Sequence, residues 1–336
     1  MTNRAIGRAV GVVGTGLIGG SVLMRLHESG ADVVGWDPDP ATREFGRSAG
    51  LSFAERLSDA VAGRDLVFLC GPLVSLPDAL SEVVKHTSDE CVVTDVGSTK
   101  AAVAAVAEHD RLRRFVPGHP MAGTEHAGLT AASATLFQGA PWVLCPDQPV
   151  ALPHFRALVA TVSTVFEARV VPMPAVWHDD VVALSSHLPH VVAGALAGAV
   201  ARSSVRDGVL ALAAGSFRDG TRVAGAPSRR TADMVTENRA AVLRQVRLLR
   251  DSLDGIVDRL ERADDPALRQ EFEIGRQLRA ELLHRRLEPA ERRFAADDEA
   301  ERAFLLDLGR AGGHLTGCEV GPDAVVYRAL VPAGVA

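Results

Sequence analysis

Lysine is nearly missing from this chain: among 36 basic residues, only Lys85 and Lys100 are not arginine. Any chemistry that needs a lysine amine beyond residue 100 is therefore excluded. With so many Ala, Gly and Val around it, the arginine bias reads as codon usage, not as a binding surface. Cysteine is scarce too. Cys70, Cys91, Cys145 and Cys318 form no CxxC pair and no zinc spacing. The first three lie near the ends of apolar runs, where buried free thiols are common, and this usage fits a reducing cytoplasm. Long hydrophobic runs are missing as well: residues 191–201, the longest after the N-terminal region, are too few to cross a bilayer. Arg4 and Arg8 precede an apolar run as in a signal peptide, but Gly14, Gly16, Gly19 and Gly20 break it. A net charge of −6 gives no reason to expect nucleic acid or an anionic membrane as partner. The expectation is a soluble, cytoplasmic protein.

What is present suffices for two domains. The chain has 336 residues, 47% apolar and 23% charged, which is ordinary for a globular protein with a sizeable core. Residues 9–13 (AVGVV) read as a short strand, followed at once by Gly14-Thr15-Gly16-Leu17-Ile18-Gly19 and a helical pattern. A second strand, residues 32–36, ends in Asp37. Strand, GxGxxG, helix, strand and acidic residue in this order suggest a dinucleotide site, a far stronger signal than the glycines alone. Gly14 permits the tight turn, Gly16 lets the backbone approach a pyrophosphate, and Gly19 lets helix pack on strand. The helix start at Leu17 and Ile18 offers free N–H groups to the phosphates. Asp37 should take the ribose hydroxyls and repel a 2′-phosphate. That favours NAD over NADP, although Arg43 is near enough in sequence to keep NADP open. The plain alternative is a glycine-rich turn that holds nothing.

Strands then alternate with helices, the pattern of a mostly parallel, doubly wound sheet. Residues 65–70 end in Gly71-Pro72, and residues 90–94 end in Asp95-Val96-Gly97-Ser98. Residues 114–116 lead to Pro117-Gly118-His119, and two more strands are expected at 141–145 and 164–171, flanking a helix from about 150 to 162. Gly71, Pro72, Ser98 and His119 thus share the rim formed by the strands' carboxyl ends, where such sheets bind ligands. Ser98 could simply cap the next helix. Pro120 disfavours helix at His119, so a titratable imidazole is held in extended or turn geometry beside Gly123, Thr124 and Glu125. A lone histidine of this kind more often packs a loop than performs chemistry. Its company changes that reading.

From about residue 174 long amphipathic helices take over: 177–205, interrupted by Pro189, then 229–262 and 266–287. Their apolar stripes suggest an all-helical domain that packs partly against another subunit. It opens with Trp177-His178-Asp179-Asp180 and continues to His187 and His190, three apart on one helix face. Residues 215–222 hold Arg218, Asp219 and Arg222. A metal site on His178, His187, His190 and Asp179 is weakly supported, and no metal is expected. A polar wall of His and Arg receiving a carboxylate suits the guanidinium fork better. Surface ion pairs and caps are the plain alternative, chiefly for Arg218 and His178. Residues 290–303 read as a charged linker or exposed helix, and residues 324–330 as a brief strand-like tail.

GTGLIGGS, TDVGSTK, PGHPMAGTEHAG, HDDVVALSSHLPH and GSFRDGTR, in this order, resemble the prephenate/arogenate dehydrogenase family of tyrosine biosynthesis, over roughly residues 9–285. The resemblance implies an α/β Rossmann-type doubly wound sheet (residues 1–173), followed by an all-helical dimerisation domain (174–289) with the active site between them. Residues 290–336 would be linker and short tail, with no complete ACT domain. It implies His119 as the catalytic proton acceptor and Ser98 as its hydroxyl-bearing neighbour. His190 and Arg222 would hold the substrate, with Glu125, Asp179, His187 and Asp219 lining or bracing the site. An aromatic residue common in the family after its TR motif is missing here, where residues 223–230 read VAGAPSRR. The implied reaction is NAD-dependent oxidative decarboxylation of a cyclohexadienol carboxylate, prephenate or arogenate, by a homodimer. Asp219 beside Arg222 could pair with an ammonium and favour arogenate. Two alternatives stay open: a 4-amino-4-deoxyprephenate dehydrogenase of secondary metabolism, and a dinucleotide-binding module without chemistry. A β-hydroxyacid dehydrogenase looks to a catalytic lysine in its helical part, which this chain lacks.

Overall fold

Short apolar runs become five parallel strands in the computed structural model, which describes residues 9–124, 126–147, 149–296 and 298–334. They are β1 (Ala9–Val13), β2 (Asp32–Trp36), β3 (Leu66–Leu69), β4 (Val92–Asp95) and β5 (Phe115–Val116). Their order is β2-β1-β3-β4-β5, and every pairing is parallel. The strands are β-branched and apolar because both faces are covered: β3 and β4 are buried along their whole length. The chain leaves β1 for β2 on one side and returns to β3 on the other. That reversal opens the crevice in which doubly wound sheets bind ligands.

The expected single sheet is in fact two. At Pro117, which has no N–H to give a ladder, the chain leaves the first sheet, and the Pro117 carbonyl accepts from the Cys145 N–H at 2.9 Å. The next residues form β6 (Gly118–Pro120), antiparallel to β7 (Pro141–Leu144), which pairs in parallel with β8 (Arg169–Pro172). His119 therefore lies on a strand, opposite Val143, and not in a loop. The strand expected at 164–171 is shorter, because the helix Leu152–Thr164 runs into its first residue.

A second correction concerns the chain's last part. In place of a linker it forms β9 (Leu287–Ala295), a helix Ala300–Arg310 and β10 (His314–Val320), and the strand-like piece read at 324–330 is β11 (Ala324–Pro332). These complete a six-stranded sheet of order β6-β7-β8-β10-β11-β9. The described residues up to Asp179 and Pro289–Val331 form one compact unit. A buried cluster fastens the return: Arg156, on the helix Leu152–Thr164, pairs with Glu301 and donates to the Ala296 carbonyl at 2.8 Å, while the Tyr327 hydroxyl donates to Glu301 at 2.6 Å.

The second unit, Asp180–Glu288, is helical. The stretch read as interrupted at Pro189 is continuous: Ala175–Ala201 is one helix, with a wider π turn at Ala183–His187. Pro189 cannot donate to the preceding turn, and the Leu188 N–H reaches back to Ala183 instead. By length and composition alone this helix could cross a membrane, which the apolar count over 191–201 missed. The expected helix 229–262 is two, Ser228–Glu237 and Arg239–Glu261, broken at Asn238. Asp265–His284 follows.

Candidate active site

The glycine turn is built as its spacing demands, and each glycine has a different reason. Gly14 has φ +87°, and a Cβ there would lie 2.8 Å from the Gly71 nitrogen, so the turn after β1 presses on the Gly71-Pro72 turn after β3. A Cβ on Gly19 would fall 1.9 Å from the Gly14 carbonyl oxygen. Gly16 differs: a Cβ there would meet nothing within 4 Å. Packing inside the chain does not require this glycine, and the open space leaves the backbone accessible to an outside group. The helix Leu17–Glu28 begins directly behind it with no side-chain cap, and the first N–H groups of a helix, here those of Leu17 and Ile18, have no partner within the helix and suit an anion. Asp37, at the end of β2, accepts from the Thr15 N–H at 2.7 Å, which fixes its carboxylate beside the glycine turn. Arg43 donates to the Asp37 carbonyl at 2.7 Å and pairs with Glu55, so its guanidinium is already held by groups of the chain itself. These residues fit a dinucleotide with free ribose hydroxyls.

His119 is reached through a buried polar frame. Lys100 and Asp95, both fully buried, form an ion pair. Lys100 Nζ donates to the Gly118 carbonyl at 2.7 Å, and Asp95 accepts from the Gly118 N–H at 3.1 Å. The peptide groups flanking His119's neighbour are thus held from both ends. His119 itself is 8% exposed. Its Nδ1 lies 2.9 Å from His178 Nε2, with the rings edge-on at 80°. His178 Nδ1 lies 2.8 Å from Asp179 Oδ1. Asp179 also accepts from the Lys100 and Ala101 N–H groups at 2.8 and 2.9 Å, closing the start of the helix Ala101–His109. Burial pushes the His178 imidazole below its usual pKa. Burial also acts to raise Asp179, but the bonds from His178 and the two backbone N–H groups prevail and hold its carboxyl low. The result is a neutral His178 between an ionised Asp179 and His119.

In the helical unit, His187 is fully buried and pairs through Nδ1 with the Asn238 amide at 3.2 Å. The break at Asn238 thus has a cause: its side chain turns inward to that ring. His190, half-buried, donates from Nδ1 to the Ser186 carbonyl at 2.9 Å. Arg218, Asp219 and Arg222 are exposed, around the helix Gly215–Thr221 and the turn that follows it.

Residues 22–171 match the family model described as prephenate dehydrogenase, nucleotide-binding domain, and residues 174–274 match that described as prephenate dehydrogenase, dimerization domain. The chain is 34% identical to a cyclohexadienyl dehydrogenase of Zymomonas mobilis over 245 residues, 70% of this chain and 82% of that protein. It belongs to the prephenate/arogenate dehydrogenase family. The solved structure of Synechocystis arogenate dehydrogenase is similar with a TM-score of 0.72 and 29% identity, over 81% of this chain and 99% of that one. A prephenate dehydrogenase from A. aeolicus, solved with hydroxyphenyl propionate and NAD+, has a TM-score of 0.73 and 27% identity, over 84% and 98%.

The prephenate/arogenate dehydrogenase fold brings together Gly14, Gly16, Gly19, Asp37 and Gly71 as the sequence reading expected. Of the two roles read for Asp179, lining or bracing, the geometry is that of a brace: its oxygens accept from His178 and two backbone N–H groups. His187 likewise faces the interior of its unit. Ser98 sits in the turn after β4, and the His119 Nδ1 contact is to His178. Glu125 lies outside the described residues. The Asp95–Lys100 frame was missed, although a carboxylate at the end of a buried strand five residues before one of only two lysines was a signal for it.

Proposed function

We propose that this chain catalyses the NAD-dependent oxidative decarboxylation of prephenate or arogenate. One observation carries the reading: a histidine buried beside the dinucleotide fold and wired through a second imidazole to a carboxylate is built to accept a proton. Family membership supplies the substrate class. The cofactor, when bound, accepts hydride from the ring carbinol carbon. The chain's own residues do the rest. The glycine turn and Asp37 orient the cofactor, and His119 takes the hydroxyl proton as the carbonyl character develops. Loss of carbon dioxide makes the ring aromatic, so the driving force is the substrate's own, and the protein's task is placement and proton acceptance. Arg222 and His190 are proposed to hold the substrate carboxylates, with Asp219 biasing side-chain recognition and Ser98 offering its hydroxyl. The reading includes a homodimer formed through the helical domain and a cytoplasmic location, in keeping with four free cysteines. Purified protein incubated with NAD and each cyclohexadienol in turn should generate reduced cofactor with at least one of them. No turnover with either would refute the reading.

A further inference from the structure

We propose that His178 is a positioning residue that fixes the tautomer of His119, so that Nε2 is the base nitrogen. The inference rests on the functional reading for its consequence but not for its geometry. An ionised Asp179 can only accept, so the hydrogen between it and His178 belongs to His178 Nδ1. A neutral ring carries one hydrogen, and His178 Nε2 is then an acceptor. The hydrogen in the 2.9 Å contact to His119 must therefore come from His119 Nδ1, and neutral His119 keeps its lone pair on Nε2. The reverse order would set a lone pair of His178 against the Asp179 carboxylate. Two backbone N–H groups hold that carboxylate in place, and it cannot turn away without uncapping the helix Ala101–His109. When Nε2 takes the substrate's hydroxyl proton, His119 becomes an imidazolium whose Nδ1–H already faces the His178 acceptor. Nothing has to reorganise at that moment.

Asp95 and Lys100 hold the strand, and the two-imidazole chain holds the ring. Both devices come from outside the strand that carries His119. This explains why a helix residue far along the sequence is buried against it.

Nitrogen-15 NMR of histidine-labelled full-length protein reads the proposal directly, without turnover. His119, assigned by comparison with His119→Asn, should give an Nδ1–H, Nε2-lone-pair pattern above neutral pH. His178→Leu removes the acceptor. It should shift His119 toward a mixture of tautomers and lower kcat about 10–100-fold, the range typical of lost orienting partners, with the KM for NAD unchanged. His178→Gln offers a carbonyl oxygen in place of Nε2 and should recover most of the loss. An Nε2–H pattern for His119 in the unaltered protein would overturn the proposal, and so would wild-type kcat in His178→Leu. If His178→Leu fails to fold, by circular dichroism, the spectrum of the unaltered protein decides alone. Absence of any turnover, with the Nδ1–H pattern present, would count against the reaction and not against the tautomer.

Discussion

His119→Asn isolates the proton-accepting role. Asparagine keeps a polar group on β6 but cannot take a proton, so kcat should fall by about 10²–10⁴, the contribution of positioned general-base catalysis, while NAD affinity stays the same. Steady-state kinetics with cofactor binding measured separately would show it, and an unaltered kcat would remove His119 from the mechanism. The glycines allow a sharper comparison. Gly16 has an ordinary φ of −70°, and its Cβ direction is open. Gly16→Ala should leave thermal stability nearly unchanged and raise the KM for NAD at least about tenfold, or ~1.4 kcal/mol. Gly19→Ala, whose Cβ would meet the Gly14 carbonyl, should instead lose about 1–3 kcal/mol of stability as overpacked sites do. Unfolding curves beside NAD titrations separate the two. At this scale the sequence was informative wherever a residue's reason is local: a turn, a helix start, a strand end. It was silent on the partner of His119, because 59 residues separate the two imidazoles and no periodicity links them.

Whole strands were missed for a different reason. β9 has a burial pattern with one inward residue in every three or four, and its sequence, LEPAERRFA, carries four charges and a proline. It is an edge strand, and charge and proline on an edge prevent further pairing. Such a strand looks like linker because only one side of it is used. What secures it lies elsewhere, in the buried Arg156–Glu301 pair and the Tyr327 hydroxyl. Removing one member of a buried pair leaves the other uncompensated, so Glu301→Leu should cost about 3–5 kcal/mol. The double variant Arg156→Met/Glu301→Leu should recover much of that loss, because a matched apolar replacement leaves no lone charge inside. Urea unfolding of the three proteins tests it. A small loss in Glu301→Leu alone would mean that the C-terminal strands are held by packing and not by this cluster. The split of the sheet at Pro117 belongs to the same class. A proline-glycine pair says that a strand ends, but which strand receives the next residues depends on the distant 141–144 segment.

Across the whole molecule, imidazoles withdrawn wholly or partly from water set a pH limit. Burial holds both His178 and His154 below the usual value of 6.5. In the unfolded chain these rings take protons near 6.5, whereas the folded chain resists until lower pH. Their contribution to stability is therefore fully present above 6.5 and is lost as pH falls through the folded values. Midpoints of urea unfolding should decline from about pH 7.5 to about pH 5.5, and His178→Gln should show a shallower decline than the unaltered protein, with His154 supplying the remainder. A profile equally steep in both would mean that His178 is not held neutral.

Assembly is written on the outside of the helical unit. Ile274, Leu278 and Leu282, each four residues from the next on the helix Asp265–His284, are 61%, 67% and 66% exposed in the single chain. Leu248, Leu253, Val257 and Leu260 on the helix Arg239–Glu261 are also more than half exposed. Isolated apolar residues on a surface need no explanation, but a stripe at helical spacing over adjacent helices does. Residues 174–274 match a dimerization domain, so a second copy is the occupant to test. Sedimentation should find a dimer. Leu278→Glu places a charge in the stripe, and burying it without a partner opposes association. That variant should move toward monomer while keeping its helical content and its affinity for NAD, since the glycine turn belongs to the other unit. A dimer undisturbed by Leu278→Glu would place the interface on a different face, and a monomeric unaltered protein would leave the stripe without the partner its spacing calls for.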